Sequence, residues 1–287
     1  MEIWQAIILG IVQGLTEFLP ISSSGHLIIF PWLFDWETPG LTFDAALHLG
    51  TLVAVLVYFR DLIWRMILAI PTALSNPLGI LRGNVDTSSE RQIDARMGLL
   101  IVVAAIPAGI AGLLLESRID EFFHADDAST RAITTIATML IVVAGVMYLA
   151  EKVGQRTKDI PHMKWVDALI VGLAQAVALI PGTSRSGATI SAGLFRGLKR
   201  EDAARFSFLA GVPLITAAGL KSVADAVGEG MSQHEMWLFV SGGISAALVG
   251  FFTIWGLLQF LQKRSTMVFI VYRILFGIFL FIMLAVK

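Results

Sequence analysis

The chain has 287 residues, of which 56% are hydrophobic and only 15% charged, and its mean hydropathy is +0.78. Soluble domains carry about 25% charged residues, so this composition excludes a soluble globular protein and indicates an integral membrane protein. The absence of cysteine excludes disulfides and cysteine-ligated metals. The net charge of −1 carries no information about partners; we expect membrane lipids around the chain and no nucleic acid.

The apolar segments are long and there are several of them. Each has about 20 residues, the length of a helix that crosses a hydrocarbon layer about 30 Å thick. A barrel of short alternating strands has a different pattern, so we predict an all-α polytopic membrane protein. The first segment, Ile3 to Leu19, lacks a basic flank and an Ala-x-Ala-like cleavage site, and we expect it to be retained rather than removed as a signal peptide.

The N-terminal region contains two apolar pieces, neither of which comfortably spans a membrane alone. The first holds Gln13 and Glu17 and ends at Pro20, and the second follows a run of three serines. Two half-length helices joined by a polar turn are typical of a re-entrant hairpin, whose turn is allowed at membrane depth only where protein or water satisfies its backbone. We predict such a hairpin over residues 1–36.

Three full spans follow in the first half, at about residues 43–59, 97–115 and 132–150. Between the first two, residues 75–96 carry Asn-Pro, Gly-Asn and mixed charges, which indicate an exposed loop. Residues 1–150 form the first predicted repeat. A charged linker, Glu151 to Lys164, leads to the second half.

The second half, residues 163–287, repeats the first. A shift of 162 residues aligns a second predicted re-entrant hairpin, residues 164–198, with the first one. The shift pairs glycines and polar residues of the two, namely Gly10 with Gly172, Gln13 with Gln175, Ser22 with Ser184, Ser24 with Ser186 and Gly25 with Gly187. Three more spans are predicted at about residues 206–227, 237–261 and 268–286, which gives six spans in a single membrane domain.

Because each half has three spans, the second half enters the membrane from the opposite side, which is an inverted-topology repeat. If the N-terminus is outside, fifteen cations lie inside, namely Arg60, Arg65, Arg82, Arg91, Arg96, Lys152, Arg156, Lys158, Lys164, Arg196, Lys199, Arg200, Arg205, Lys263 and Arg264. Only Arg118, Arg131, Lys221 and Lys287 then lie outside, with the acidic loop 116–127. The positive-inside rule supports this topology, in which the two hairpin tips meet near the middle of the membrane.

The two hairpin turns differ in the residues that would do chemistry. Glu17 and His26 belong to the first turn, and Arg185 of the second turn aligns with Ser23. An arginine and the backbone N–H groups of helix N-termini favour an anion with planar oxygens, and phosphate is the commonest such guest. We therefore predict one asymmetric site made from both turns. Its other phosphate-binding positions are Gln13, Ser22, Ser24, Gly25, Thr183, Ser184, Ser186 and Gly187.

A purely structural interpretation also exists for each of these residues. Serine and glycine are ordinary in membrane helices, where they permit close packing. A charge at membrane depth is different because it costs ~2.5 kcal/mol or more. This cost argues against a merely structural pair of Glu17 and Arg185.

Four further polar residues near the ends of predicted spans have a simpler interpretation. Tyr272 and Arg273 lie near the inner end of the last span, where snorkelling to the interface is the better explanation. Asp44 and His48 lie one turn apart at the outer end of the first full span. They could line an entrance or support the site, but solvation of the helix end explains them at least as well.

Two long motifs resemble one known family. They are Phe-Leu-Pro-Ile-Ser-Ser-Ser-Gly-His at positions 18–26, preceded by Gln13 and Glu17, and Pro-Gly-Thr-Ser-Arg-Ser-Gly-Ala-Thr at positions 181–189. They are similar to the signature motifs of the undecaprenyl-diphosphate phosphatases, the bacitracin-resistance proteins of bacterial inner membranes. The resemblance covers essentially the whole chain, including the order of its segments.

The resemblance implies hydrolysis of an isoprenyl diphosphate to the monophosphate and inorganic phosphate, which recycles the lipid carrier of peptidoglycan synthesis. It implies a multi-pass protein of the inner (plasma) membrane with its site facing the periplasm or outside, and a divalent cation, Mg²⁺ or Ca²⁺, with Glu17 as its ligand. It also assigns catalytic importance to Glu17, Ser23, His26 and Arg185, with Ser184, Ser186 and Thr189 as phosphate contacts. A homodimer is compatible with it.

Gln13 departs from the family pattern, since many members have a second glutamate at its position. An amide can orient a hydroxyl or a metal-bound water but cannot act as a base. A mechanism that needs two carboxylates at this turn is therefore put in doubt.

The residues leave two chemical versions and two other functional classes open. Ser23 can act as nucleophile with His26 or Glu17 as its base, or His26 can itself attack and form a phosphohistidine. Inverted repeats with broken helices are also the usual architecture of secondary transporters, so a lipid-phosphate transporter or flippase is the alternative to a phosphatase. A structural or assembly factor is a third reading, which the buried charges disfavour.

Overall fold

The computed structural model describes residues 1–37, 40–83, 85–86, 88–124 and 128–286, without the side chains at 41, 42, 116–129, 226, 227 and 229. Within these residues the chain is helical and has no strand. The helices are α1 Ile3–Thr16, α2 Ser23–Phe34, α3 Leu41–Tyr58, α4 Arg60–Leu68, α5 Ile70–Ser75, α6 Pro77–Arg82, α7 Glu90–His124, α8 Ala128–Val153, α9 Trp165–Val177, α10 Arg185–Phe195, α11 Arg200–Glu229, α12 Gln233–Lys263 and α13 Met267–Val286.

Five helices, α7, α8, α11, α12 and α13, are long and apolar enough to cross a membrane. A sixth span results if α3 and α4, which bend by 76° at their junction, count as one. Helices satisfy all their backbone hydrogen bonds internally, which the hydrocarbon interior requires. The prediction of an all-helical membrane protein is therefore confirmed, with five or six candidate spans.

Helix boundaries differ from the predicted ones on both sides of α7. The loop predicted over residues 75–96 is wrong, because α6 lies within it and α7 begins at Glu90. The Asn-Pro pair that indicates a turn here starts a helix: the Asn76 side chain accepts a hydrogen bond of 3.1 Å from the Gly79 amide, and Pro77 takes the first helical position. α7 then continues to His124 through most of the predicted acidic loop, of which residues 125–127 lie outside the described residues, as does Lys287.

Two broken hairpins stand at the centre of the fold and share their local geometry. α1 and α2 are joined by residues 17–22, and α9 and α10 by residues 178–184. Ser22 and Ser184 precede the second helix of each hairpin with φ of 78° and 69°, in the left-handed region that non-glycine residues rarely adopt. Each serine hydroxyl accepts a hydrogen bond from the backbone amide three residues later, that of Gly25 or Gly187.

Each hairpin packs against a long helix of the other half of the chain. α1 packs against α12, and the close approach needs Gly14, where a Cβ atom would lie 2.8 Å from the Ala246 carbonyl oxygen. α9 packs against α7, and a Cβ atom on Gly172 would lie 2.5 Å from the Ala104 carbonyl oxygen. The two halves are thereby interlocked rather than side by side.

The charged linker between the halves is held by two buried carboxylates. Asp167, at the start of α9, accepts hydrogen bonds from Lys158 and Arg196 at 2.8 Å and 2.7 Å. Glu151, at the end of α8, accepts from Arg200 and from the Thr266 hydroxyl. These contacts fix the ends of α8, α9, α10 and α13, and so set the frame that holds the second hairpin.

Candidate active site

The turns of the two hairpins meet inside the helix bundle. The Ser186 hydroxyl, in the first turn of α10, donates a hydrogen bond of 3.1 Å to the Leu19 carbonyl in the turn of the first hairpin. Beside this contact, Arg185 Nη2 donates to Glu17 Oε1 at 2.8 Å. Residues that are about 160 positions apart in sequence therefore form one polar cluster, which we call the joint site.

Glu17 is the centre of the joint site. Its Oε1 atom accepts from Arg185, and its Oε2 atom accepts from the Ser23 hydroxyl at 2.7 Å and from Gln13 Nε2 at 3.2 Å. Its side chain is 4% exposed, and that of Arg185 is 16% exposed. A buried charge of this kind is tolerated when it is paired and hydrogen-bonded. The carboxylate is therefore held in one orientation, with a serine hydroxyl directed at it.

The position of Arg185 depends on α11. Its Nη1 atom donates to the Ser207 carbonyl oxygen at 3.0 Å. Gly211, one turn further along α11, leaves room for the guanidinium, because a Cβ atom there would lie 2.1 Å from Arg185 Nη1. A guanidinium has five N–H donors, and these two hydrogen bonds leave donors for a phosphate.

Both ring nitrogens of His26 have partners other than Ser23. Its Nδ1 atom lies 2.7 Å from the Ser22 carbonyl oxygen, and its Nε2 atom lies 2.7 Å from the Tyr272 hydroxyl. Its ring stacks on Phe276. Among the hydrogen bonds of the described residues, none joins His26 to Ser23.

The other predicted phosphate-binding positions lie at the same two turns, in different roles. The hydroxyls of Ser184 and Ser186 are 3.2 Å apart, and those of Ser22 and Ser24 are 3.5 Å apart. Thr189 is turned towards α11 instead, where its hydroxyl lies 2.6 Å from that of Ser207.

Two atoms of the predicted set are buried without a hydrogen-bond partner among the described residues. They are the Thr183 hydroxyl and Gln13 Oε1. A buried polar group without a partner costs about 1–3 kcal/mol. A ligand or a water molecule that forms a hydrogen bond with either atom would remove this penalty.

Arg273 is part of this region, and the prediction that it snorkels to the interface is wrong. The side chain is fully buried. It donates to the carbonyl oxygens of Pro20 in the first turn and of Gly182 and Thr183 in the second, at 3.2, 2.9 and 3.1 Å, and to two carbonyls of α8. One guanidinium thus ties both turns together.

The sequence contained a signal for Arg273 that the snorkelling interpretation overlooked. Arg273 is the seventh residue of α13, roughly 9 Å along the helix axis from its start. That depth makes the cost of a buried charge relevant, as it is for Glu17 and Arg185.

His48 and Tyr272 also contact residues of the first hairpin. The Tyr272 hydroxyl lies 2.7 Å from His26 Nε2, a contact that snorkelling does not predict. The His48 Nε2 atom lies 3.6 Å from Glu17 Oε2, which fits the interpretation that His48 supports the site. Only tertiary structure could place them here, since both residues lie on helices outside the two hairpins, α3 and α13.

The side chains around Glu17 do not provide the oxygen ligands that a protein-bound divalent cation needs. Mg²⁺ and Ca²⁺ take six or more oxygen ligands, with carboxylates among them. Among the residues that the structure describes, no group of three His, Cys, Asp or Glu side chains could hold a metal. Both oxygens of the single carboxylate already accept hydrogen bonds, one of them from the positive charge of Arg185.

Comparison with known proteins gives one consistent result. A family model described as bacitracin resistance protein BacA matches residues 6–279. The undecaprenyl-diphosphatase of Thermomicrobium roseum is 49% identical over 285 residues, which cover 99% of this chain and 99% of that protein. The proteins of the same name from Trichormus variabilis and Desulforudis audaxviator are 44% and 42% identical over 278 residues; each match covers 97% of this chain, and 82% and 96% of the respective relative.

Proposed function

The chain belongs to the bacitracin resistance protein BacA family, and we propose that its joint site hydrolyses undecaprenyl diphosphate to undecaprenyl phosphate and inorganic phosphate. The reaction recycles the lipid carrier of peptidoglycan synthesis and thereby confers resistance to bacitracin. Relatives named undecaprenyl-diphosphatase align with the chain along nearly its whole length. The chain is accordingly a membrane hydrolase that acts on a polyprenyl diphosphate.

The observation that carries the mechanism is the series of contacts from Ser23 through Glu17 to Arg185. A serine hydroxyl is a weak nucleophile and needs an adjacent base, and Glu17 accepts its hydrogen bond at 2.7 Å. Arg185 and the amides at the N-termini of α2 and α10 would hold the terminal phosphoryl group and stabilise the charge on its oxygens. Ser23 is therefore our favoured nucleophile.

In the first step, Ser23 Oγ forms a bond to the terminal phosphorus as the bond from that phosphorus to the bridging oxygen breaks. The lipid monophosphate leaves with the electron pair of the broken bond. The serine proton passes to Glu17, which releases it to solvent. Water then attacks the phosphoserine and liberates inorganic phosphate.

The version in which His26 attacks has less geometric support. The Ser22 carbonyl can only accept a hydrogen bond, so His26 Nδ1 carries a hydrogen, and Nε2 accepts from Tyr272. A phosphohistidine would require His26 to break one of these bonds and to turn. His26 in our proposal fixes the end of the first turn.

Hydrolysis has better support than transport. A carrier needs groups that bind phosphate, but it has no use for a hydroxyl paired with a buried carboxylate, which is the arrangement of Ser23 and Glu17. The family assignment favours the same conclusion.

We propose that a divalent cation, Mg²⁺ or Ca²⁺, would bind together with the diphosphate rather than reside on the protein. The described residues offer a single carboxylate at the site, already bonded to Arg185 and Ser23. A diphosphate brings several oxygens of its own, which suit hard cations.

We further propose that the two halves form an inverted-topology repeat with six spans. Two observations support it. The rare backbone conformation of Ser22 recurs at Ser184, and each hairpin packs against the second long helix of the opposite half. With the cation-rich loops inside, the joint site would open to the outer face of the bacterial inner membrane. A homodimer stays a prediction, tested by the mass of the purified complex in detergent.

Phosphate release by the purified full-length protein in detergent tests the function. We expect phosphate release from undecaprenyl diphosphate. It should be abolished in Ser23→Ala and retained in Ser265→Ala, a serine between α12 and α13.

Rapid quenching with substrate labelled on the terminal phosphate tests the nucleophile. Acid-stable label on Ser23 supports the proposed step, and acid-labile label on His26 contradicts it. An inactive wild-type protein, with or without Mg²⁺ or Ca²⁺, would contradict the function itself.

A further inference from the structure

His48 brings a third element to the joint site. It lies on α3, outside both hairpins, and its Nε2 atom is 3.6 Å from Glu17 Oε2. The His48 side chain is 32% exposed, whereas that of Glu17 is 4% exposed. The imidazole therefore borders the buried carboxylate and is itself accessible, as a group that meets an incoming reactant must be.

A contact within α3 fixes the orientation of the His48 ring. Nδ1 lies 2.7 Å from the main-chain carbonyl oxygen of Asp44. A carbonyl oxygen can only accept, so Nδ1 carries the hydrogen, and in the neutral ring Nε2 is an acceptor. That acceptor faces a second acceptor, Glu17 Oε2. Their separation of 3.6 Å exceeds the 2.7–3.2 Å of an N–H···O bond.

Two acceptors that face each other are satisfied together by a donor placed beside both. Water has two hydrogens and fits this requirement, because one can be directed at Glu17 Oε2 and the other at His48 Nε2. Ser23 donates to the same carboxylate oxygen at 2.7 Å. A water molecule at this place would lie next to a phosphoryl group carried by Ser23.

The other imidazole near the site cannot take this role without rearrangement. Both nitrogens of His26 already have partners, the Ser22 carbonyl and the Tyr272 hydroxyl. His26 is also 3% exposed, so it is far less accessible than His48.

We propose that His48 and Glu17 together hold the water molecule that attacks the phosphoryl group, an assignment that rests on the proposed function. The water oxygen forms a bond to phosphorus as the bond from phosphorus to Ser23 Oγ breaks. Glu17 takes one proton from the water and returns it to Ser23 Oγ. The second proton stays on the oxygen, donates to His48 Nε2, and leaves with inorganic phosphate.

The test compares three variants of the full-length protein in detergent, His48→Leu, His48→Gln and His48→Asn, with His234→Leu as a matched control. His234 lies at the start of α12 and contacts the Met1 carbonyl, away from the joint site. Thermal unfolding is recorded for each. The steady-state kcat and KM are measured with undecaprenyl diphosphate, and phosphoenzyme is measured by rapid quenching.

We expect His48→Leu to lower kcat about 10²-fold, the effect of misplacing a reactant by about 1 Å. KM should fall by a similar factor and kcat/KM should stay within about threefold of wild type, because formation of the phosphoserine does not use the water. Arg185 and the turn amides, which bind the phosphate, are unchanged in this variant. Phosphoserine should accumulate because only the second step uses the water. His48→Gln should stay within about tenfold of wild type, since an amide oxygen can orient an attacking water. His48→Asn should behave like the leucine variant because it is too short.

A kcat for His48→Leu within about threefold of wild type would overturn the proposal. A fall in kcat/KM without accumulation of phosphoserine would also overturn it, as would equal losses of kcat in the glutamine and leucine variants. If His48→Leu does not fold, the comparison of His48→Gln with His48→Asn decides in the same way. A wild-type protein that releases no phosphate would instead contradict the proposed function, so the two failures are distinguishable.

Discussion

Glu17 and Arg185 are 168 positions apart in the chain, yet Arg185 Nη2 lies 2.8 Å from Glu17 Oε1. Each residue belongs to the turn of a different broken hairpin. The carboxylate and the guanidinium, to which we assign proton transfer and phosphate binding, can therefore act together only when both halves have folded and interlocked. This pair links the fold to the reaction, since it forms the joint between the halves and the centre of the site.

Breaking the pair of Glu17 and Arg185 should reduce both stability and activity. The double variant should recover part of the stability but none of the activity. Removing one partner of a buried ion pair leaves the other charge uncompensated and costs about 3–5 kcal/mol. We expect Glu17→Gln and Arg185→Gln each to lower the melting temperature in detergent. The double variant should be more stable than their summed effects predict, because neither charge remains. Phosphate release should fall by about 10²-fold or more in all three.

A double-mutant cycle on melting temperature checks the coupling, with Arg264→Gln, at an exposed position after α12, as the control. Additive effects of the two substitutions would contradict a direct interaction. Wild-type turnover in Glu17→Gln would contradict the role of Glu17 as the base.

A single methyl group on α11 should displace the guanidinium of Arg185. A Cβ atom at position 211 would lie 2.1 Å from Nη1 and 2.6 Å from Cζ, so Gly211→Ala should push the side chain away from Glu17. The displaced group is the end of a flexible chain, and we expect a small change in melting temperature. Phosphate release should fall about 10²-fold, as when one preorganised donor is removed.

Gly98→Ala is the matched control, since among the described residues no atom beyond its chain neighbours and the adjacent backbone of its own helix lies within 4 Å of a Cβ atom there. It should retain wild-type activity. If Gly211→Ala is equally active, the observed position of Arg185 is not the one used in the reaction.

The architecture was predictable where the signal is local. Apolar length and the breaks at Pro20 and Pro181 indicate spans and hairpins directly, because the hydrocarbon interior allows few backbone structures. The helices extend beyond the predicted spans, as α7 does at both ends. A helix continues into the polar layer as long as its own hydrogen bonds are satisfied, and hydropathy does not record this.

The joint site was predictable only in part. Aligning the two turns singled out Glu17, His26 and Arg185, since the turns differ at these positions, and the family resemblance added Ser23. His48 and Arg273 could not be found in that way, since they lie on helices outside the turns and reach the site through tertiary packing. For His26, the motif gave the residue but not the direction of its ring, which depends on Tyr272 in the last helix.

The hydrogen bond between His26 and Tyr272 gives a prediction that separates the two mechanisms. Tyr272→Phe removes the donor to Nε2 and should cost about 1 kcal/mol of stability. If His26 only fixes the turn, phosphate release should fall less than tenfold, and the label should remain on Ser23. Tyr58→Phe, at the end of α3, is the control. Acid-labile label appearing on His26 in Tyr272→Phe would instead favour histidine as a nucleophile that Tyr272 restrains.

Arg273 should be the most sensitive residue outside the two turns. Its guanidinium donates to five carbonyl oxygens, among them those of Pro20, Gly182 and Thr183. Lysine keeps the charge but has three donors on one atom, so Arg273→Lys cannot reach all five acceptors. We expect it to lose about 3 kcal/mol, roughly 6–12 °C in melting temperature, and Arg273→Met to lose more.

Activity distinguishes a positioning role from a merely structural one. At a temperature where Arg273→Lys is fully folded, we expect kcat to fall at least about tenfold, because the two turns shift relative to each other and misplace Ser23 against the phosphate that Arg185 holds. Arg264→Lys, on the exposed end of α12, should change neither quantity. Full turnover by folded Arg273→Lys would show that the carbonyl contacts stabilise the bundle without aligning the site. Wild-type melting of Arg273→Met would contradict the burial of the guanidinium.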